Sequence, residues 1–393
     1  MFKIDLQETP KVSVISSYPP RLCGIATFSQ DLLSSLAKQY KREEVTNNSL
    51  QVIAVDDIEE PINNYPSETT FVIKDHSLND YYEAAEFINA TSQDIVSLQH
   101  EFNLFGGEEG YYIINLLNKL KKPVVSTLHT VINNPTPTQK EIIQEISTRS
   151  NYVVVMADTA REILRDSYDI PIDKVLFIHH GIHEKPFIDP SHYKPNIGME
   201  GRPVILNFGL LDQKKGIEYV IEAMAEVTKH FPQAAFLVVG KTHPVIKKYH
   251  GEEYRHSLMQ LVDELELNDN VFFHDEFVSL QELIDYLLAT DIFITNYLNE
   301  DRTASGALAY AMGCGKAIIS TPYHYAAEML SNNHGRLVPF RDSEAIAREL
   351  LLLLEDSKLR NKLRENAYRY SRQMLWSNVA NEYLQVFAQL AQI

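Results

Sequence analysis

Residues 204–224, VILNFGLLDQKKGIEYVIEAM, decide the fold. The stretch opens with a short apolar run, breaks at Gly209, and resumes with helical periodicity from Ile217. That is a strand, a polar turn and a helix, the repeating unit of a parallel α/β sheet. The turn carries Lys214 and Lys215 just ahead of the helix. There the unpaired first-turn amides and the helix dipole favour an anion, and a lysine adds a compact positive charge. A solvated lysine pair is the plainer alternative.

Working outward, the same alternation continues on both sides. Downstream, strands are expected at 235–239, 271–274, 291–295 and 317–320, followed by a helix-rich tail from Asp342. The last helix, 376–390, is amphipathic, with Val379, Tyr383, Val386, Phe387 and Leu390 at helical spacing. Upstream, strands are expected at 12–17, 51–55, 71–74, 94–99, 123–129, 152–156 and 175–179, with helical patterns at 28–38, 81–90, 110–120 and 159–165. Between the halves, residues 184–203 (EKPFIDPSHYKPNIGMEGRP) lose all periodicity and read as a linker. Two αβ halves in 393 residues imply two domains, and a parallel sheet binds ligands beyond the carboxyl ends of its strands. The expected site is therefore a cleft between two facing Rossmann-like domains.

Composition narrows the function. A formal net charge of -17 argues against nucleic-acid partners, and no apolar run reaches the ~20 residues of a membrane span. Basic clusters at 38–42 and 119–122 read as solvated faces, and a peripheral membrane contact stays open. Two distant cysteines, and an opening (MFKIDLQETPK) without an apolar signal core, lead to an expectation of cytoplasmic residence.

The candidate site residues lie where strands end. Gly24, in YPPRLCGIATF, opens a helix and allows close backbone approach to an anion, or is only a tight turn. His129 ends the fifth strand; His100 with Glu101 ends the fourth. Each histidine is able to donate to sugar hydroxyls or phosphate, although a hydrogen-bonded structural histidine is the commoner case. Gly106 and Gly107 offer a flexible backbone approach to an acceptor. In HHGIH (179–183) the spacing fits no compact zinc pattern, so His180 is taken as lining the cleft and no metal is expected. In the second half, Ser305 and Gly306 start a helix and form a second anion candidate beside Gly209, Lys214 and Lys215.

Taken together, these segments resemble the glycosyltransferase family 4 (group 1) enzymes. The resemblance rests on FGLLDQKKGIEYVIEA, VVGKTHP, DIFITN, AMGCGKAIISTP, Ala327-Glu328 and HGRLVPF, and it spans nearly the whole chain. It implies a GT-B fold, with 1–195 as acceptor-side domain, 202–372 as donor-side domain, and 375–393 as a helix returning to the first. It further implies a retaining hexosyl transfer from a nucleotide-sugar to a carbohydrate or lipid-linked acceptor, in polysaccharide biosynthesis, with no cofactor and no essential metal. Lys215 falls on the family lysine that stabilises the leaving diphosphate, and His129 on the histidine beside the donor sugar. Three positions depart from the pattern. Leu210 replaces an arginine, and Arg302 and Tyr310 stand where paired glutamates are usual; Arg302 is a candidate phosphate ligand in compensation. A phosphorylase using inorganic phosphate, which has no ribose to grip, and a silent sugar or nucleotide binder remain alternatives. A dinucleotide oxidoreductase is disfavoured, because CGIATF lacks G-x-G-x-x-G.

Overall fold

The computed structural model describes residues 9–40, 49–57 and 64–391; the opening residues 1–8 and the Lys41-Arg42 end of the first basic cluster lie outside them. Contacts divide the chain into two units. One is Met1–Gly181 with Asp301–Ala304 and Gln373–Ile393; the other is Ile182–Glu300 with Ser305–Arg372.

The first unit holds strands β1 (Val12–Ser16), β2 (Leu50–Asp56), β3 (Thr69–Lys74), β4 (Ile95–His100), β5 (Val124–Leu128), β6 (Tyr152–Val155) and β7 (Val175–Phe177). They form one parallel sheet in the order β3-β2-β1-β4-β5-β6-β7. Its helices are α1 (Gly24–Gln39), α2 (Leu78–Ala90), α3 (Tyr112–Leu117), α4 (Pro137–Arg149) and α5 (Asp158–Tyr168). Strands β1, β4 and β5 are buried along their whole length, as a sheet covered on both faces requires, whereas edge strand β3 alternates. The strand order reverses between β1 and β4, so the loops after these two strands open on the crevice where such sheets hold ligands.

The second unit repeats the plan. Strands β8 (Val204–Phe208), β9 (Ala235–Val239), β10 (Val271–His274), β11 (Ile292–Thr295), β12 (Ala317–Ser320) and β13 (Arg336–Leu337) run parallel in the order β10-β9-β8-β11-β12-β13. Around them lie α6 (Ile217–His230), α7 (Pro244–His250), α8 (Glu253–Glu264), α9 (Leu280–Ala289), α10 (Gly306–Gly313), α11 (His324–Met329), α12 (Ser343–Glu355) and α13 (Ser357–Ser371). Here the order reverses between β8 and β11, which again selects the loops after those strands. The final helix, α14 (Trp376–Ala391), belongs to the first unit, where Tyr383 hydrogen-bonds Thr127 at 2.8 Å.

Three local expectations change. Helix α3 is shorter than 110–120 because Gly107 and Gly110 adopt positive φ and Glu109 sits at φ 52, which breaks helical geometry before residue 112. Helix α4, not anticipated, is started by Thr136, whose hydroxyl accepts from Gln139 in a capping box with Pro137 in the first turn. The 184–203 stretch is no free tether: Lys185 and Ile188 carbonyls accept from Tyr368 (2.8 Å) and Arg364 (2.6 Å), and Lys194 pairs with Asp291 at 2.7 Å. Among the described residues, no helix is long and apolar enough to cross a membrane.

Candidate functional site

In the first unit the site grows from the ends of β1, β4 and β5. Cys23 caps α1, its Sγ accepting from the Ala26 amide at 3.3 Å, so Gly24 is the first helical residue. A Cβ on Gly24 would meet nothing within 4 Å. The fold makes no steric demand for glycine here, and the helix start faces open space.

His129 follows β5 and is 7% exposed. Its Nε2 lies 2.9 Å from Oε1 of Gln99. The Gln99 amide nitrogen faces Ser97 (3.3 Å) and Thr127 (3.5 Å), so its oxygen accepts and the neutral ring carries its proton on Nε2. Nδ1 then keeps its lone pair and is the ring's acceptor. Burial, with smaller contributions from His180 and His100, pushes the His129 pKa down to about 3, so the ring is neutral at physiological pH. Phe28 of α1 meets three rings edge-on, those of His129 (4.7 Å), His180 (5.1 Å) and Trp376 (5.1 Å). Gly181 is obligatory in this cluster, because a Cβ there would stand 2.1 Å from the Trp376 indole. His180 Nδ1 lies 2.8 Å from the Gly181 carbonyl, an N–H···O contact that ties the ring into the same packing.

His100 is fully buried, and neither ring nitrogen has a hydrogen-bond partner. It stacks on Phe105 at 6.0 Å and meets Phe102 edge-on at 5.3 Å, and burial pushes its pKa down to about 3. Glu101 is the better-placed polar group. Its carboxylate accepts from the Phe102 amide (2.9 Å) and the Thr130 hydroxyl (2.8 Å). Burial pushes its pKa up, opposed by those two hydrogen bonds and by the Arg302 charge. Packing demands glycine at both 106 and 107. A Cβ on Gly106 would lie 1.7 Å from the Asp75 carbonyl oxygen, and one on Gly107 2.7 Å from the Tyr112 ring.

In the second unit the loop after β8 is a locked cradle. Asp212 accepts from the Lys214 amide at 3.0 Å and starts a single turn that ends at Gly216, φ 57. Asn296, just after β11, donates to the Gly216 carbonyl at 2.7 Å, and the Leu298 amide donates to the Lys214 carbonyl at 2.9 Å. Lys215 is 8% exposed, and its amine donates to the Phe208 carbonyl at 2.9 Å. Gly209 holds φ 112, and a Cβ there would lie 2.8 Å from that amine. Gly240, at φ 141, passes so close that its Cβ would meet the Gly209 carbonyl oxygen at 2.4 Å. Lys214 itself is exposed. Ser305 caps α10, accepting from the Leu308 amide at 3.3 Å, with Gly306 in the first turn. Tyr310 follows one turn later, its ring stacked on His183 at 5.9 Å.

The structure thus groups His129 with His180, Glu101 with Thr130 and Arg302, Lys215 with Gly209, and Tyr310 with His183. Gln99, Thr130, Gly240 and Asn296 escaped the sequence, since each acts through a partner distant along the chain.

Residues 192–370 match the family model of the glycosyl transferases group 1. Within that stretch the chain carries the sequence pattern of that family. Over 95% of this chain and 96% of the relative, it is 24% identical to an uncharacterised glycosyltransferase of Methanocaldococcus jannaschii. It is also 24% identical to the alpha-monoglucosyldiacylglycerol synthase of Streptococcus pneumoniae, over 78% of this chain and 70% of that one. Among solved structures it is similar to Anabaena HepE in complex with UDP and glucose, with TM-score 0.74, 15% identity and coverage of 97% and 100%. A sucrose-phosphate synthase from Thermosynechococcus elongatus gives TM-score 0.77 at 18% identity, covering 97% and 99%. These likenesses show the fold: GT-B, built from two parallel-sheet α/β domains.

Proposed function

We propose that this glycosyltransferase moves a sugar from a nucleotide-sugar donor to a hydroxyl of a carbohydrate or lipid-linked acceptor, with retention at the anomeric carbon. The Lys215 amine carries the proposal, being nearly buried and aimed by its bond to the Phe208 carbonyl at the end of β8. Held there, it stabilises the charge that grows on the departing diphosphate, with the amides of Gly306 and its neighbour at the start of α10 as further donors. The glycosidic bond to the diphosphate breaks, the acceptor oxygen bonds the same face, and its proton passes to the leaving diphosphate. His129, neutral and fixed by Gln99, accepts from a hydroxyl of the donor sugar through Nδ1. Gly24 offers the open helix start of α1 to an anionic group of the substrate. UDP-bound relatives of the same fold support a nucleotide donor, and the lipid-modifying relative supports a lipid-linked acceptor. The site of action is proposed to be cytoplasmic, with no cofactor.

Melting shifts against nucleoside diphosphates, nucleotide-sugars and phosphate test the donor. A ligand at a hundredfold excess over its Kd raises stability by about 2.7 kcal/mol. A shift with one diphosphate and its sugar conjugate, followed by NMR of the product anomer, establishes donor and stereochemistry; no nucleotide response removes the proposal. A phosphorylase is the second reading, favoured by Tyr310, which stacks on His183 where a ribose-holding carboxylate is usual. A response to phosphate alone would select it.

A further inference from the structure

The first turn of α8 touches the Lys215 cradle from two sides. The Tyr254 hydroxyl accepts from the Ile217 amide at 3.1 Å and donates to Glu218, which fixes the start of α6 two residues beyond Lys215. Arg255, 5% exposed, reaches the other side. Its Nη2 donates to the Gly240 carbonyl at 2.9 Å and to Asp275 at 2.7 Å, so one guanidinium joins the loops after β9 and β10. Its Nε donates to Glu252 at 3.3 Å, and Glu252 also accepts from the Thr242 hydroxyl and pairs with Lys247 at 2.9 Å. The loop after β9 is bonded onward to the loop after β8: the Leu211 amide donates to the Lys241 carbonyl at 2.7 Å, and the His243 amide to the Leu211 carbonyl at 2.9 Å. Gly240 itself stands against the Gly209 carbonyl, and Gly209 against the Lys215 amine.

We propose that Tyr254 and Arg255 are positioning residues, which hold Lys215 at the place where it meets the leaving diphosphate without touching substrate themselves. The inference rests on the glycosyltransferase function proposed above. A buried guanidinium is a costly way to add stability, because desolvation offsets much of the attraction to its carboxylates. Here Nη1 is also left without a hydrogen-bond partner among the described residues. What the group supplies is geometry: a rigid planar fork that bonds two loops at once, which a lysine does not reproduce. A displacement of the loop after β9 carries through Gly240 to Gly209 and so to the Lys215 amine. A shift of about 1 Å at a group that meets developing charge is enough to cost roughly 10²-fold in rate.

Arg255→Met and Tyr254→Phe are made in the full chain, alone and on Lys215→Ala, with melting curves confirming that each is folded. Arg255→Lys, which keeps the charge but not the fork, replaces Arg255→Met should that variant not fold. Expected is a fall in kcat of roughly 10–10²-fold for either Arg255 variant and a smaller fall for Tyr254→Phe. Added to Lys215→Ala, each should lower kcat by less than about threefold, because the group it positions is already gone. A role confined to stability leaves no such dependence on Lys215. Amide exchange supplies a readout without activity: Leu211 and His243 should exchange about tenfold faster or more in the Arg255 variant, with the amides of β8 unchanged. Equal losses with and without Lys215, near-normal kcat in both single variants, or unaltered exchange at Leu211 and His243 overturns the assignment. If wild type transfers sugar from no nucleotide-sugar, the transferase function fails instead, and the exchange measurement alone decides whether Arg255 fixes these loops.

Discussion

The loops after β1 and β8 occupy equivalent places in their two sheets, each the first strand of its unit and each leading into a helix. They are built on opposite terms. Around Gly24 the chain leaves room: a side chain there would touch nothing, and the cap is a cysteine thiol. After β8, Gly209 and Gly216 adopt positive φ, as does Gly240 after β9, and each would collide with a neighbour if it carried a Cβ. Lys215 is pinned in space that a Cβ on Gly209 would take. The fold makes no demand for glycine at 24, whereas the glycines it demands after β8 and β9 accompany a preformed charged group. Equivalent positions in related sheets thus carry different kinds of evidence.

The strongest way to break this contrast is Lys215→Ala. Turnover should fall by roughly 10²–10³-fold, the usual cost of removing one pre-positioned donor to developing charge. Steady-state rates alongside a melting curve check it, and near-normal turnover would empty the cradle of its meaning. Gly240→Ala should cost roughly 2–4 kcal/mol of stability, from left-handed strain plus a backbone collision that cannot relax. Urea unfolding measures that loss.

Acid sharpens the contrast from the side of the first unit. His100 and His129 are held near pKa 3, below the ordinary value of 6.5, so unfolding takes up protons as pH falls from about 6.5 towards 3. Their contribution is complete above that window and declines within it, by roughly 2–3 kcal/mol per pH unit for the two together. Urea midpoints between pH 7 and 5 should follow that slope, and the rate should show no histidine titration in the same range. His100→Leu removes two unpartnered buried nitrogens. It should leave stability at pH 7 unchanged or about 1 kcal/mol higher and make the acid slope shallower, while His129 and His179 keep theirs. The smallest effect belongs to Gly24→Ala, which should raise stability by about 0.4–1 kcal/mol because the helix start has room for a methyl. If the nucleotide Kd does not rise in that variant, the open loop serves no ligand.

Most strands were legible because burial on both faces writes them as short apolar runs between turn residues. The run at 204–208 is one such strand, reproduced residue for residue in β8. β13 was not, since two residues paired to β12 carry no periodicity. Helix α4 had a local signature in Thr136-Pro137-Thr138-Gln139, which composition reading passed over. Lys215 and His129 were legible as polar residues at strand ends. Gln99 was not, because in sequence it is one more residue of a buried strand; only its 2.9 Å contact makes it the group that orients His129.

By itself the sequence determined the class of molecule: two parallel α/β sheets with polar loops at their carboxyl edges. Those features follow from periodicity and turn chemistry within a few residues. Only the tertiary structure decided that Thr303 meets Val131, that Gly240 passes over Gly209, and that Tyr383 meets Thr127 across 256 positions. Such pairings are set by how whole elements pack, a condition no local stretch of chain encodes.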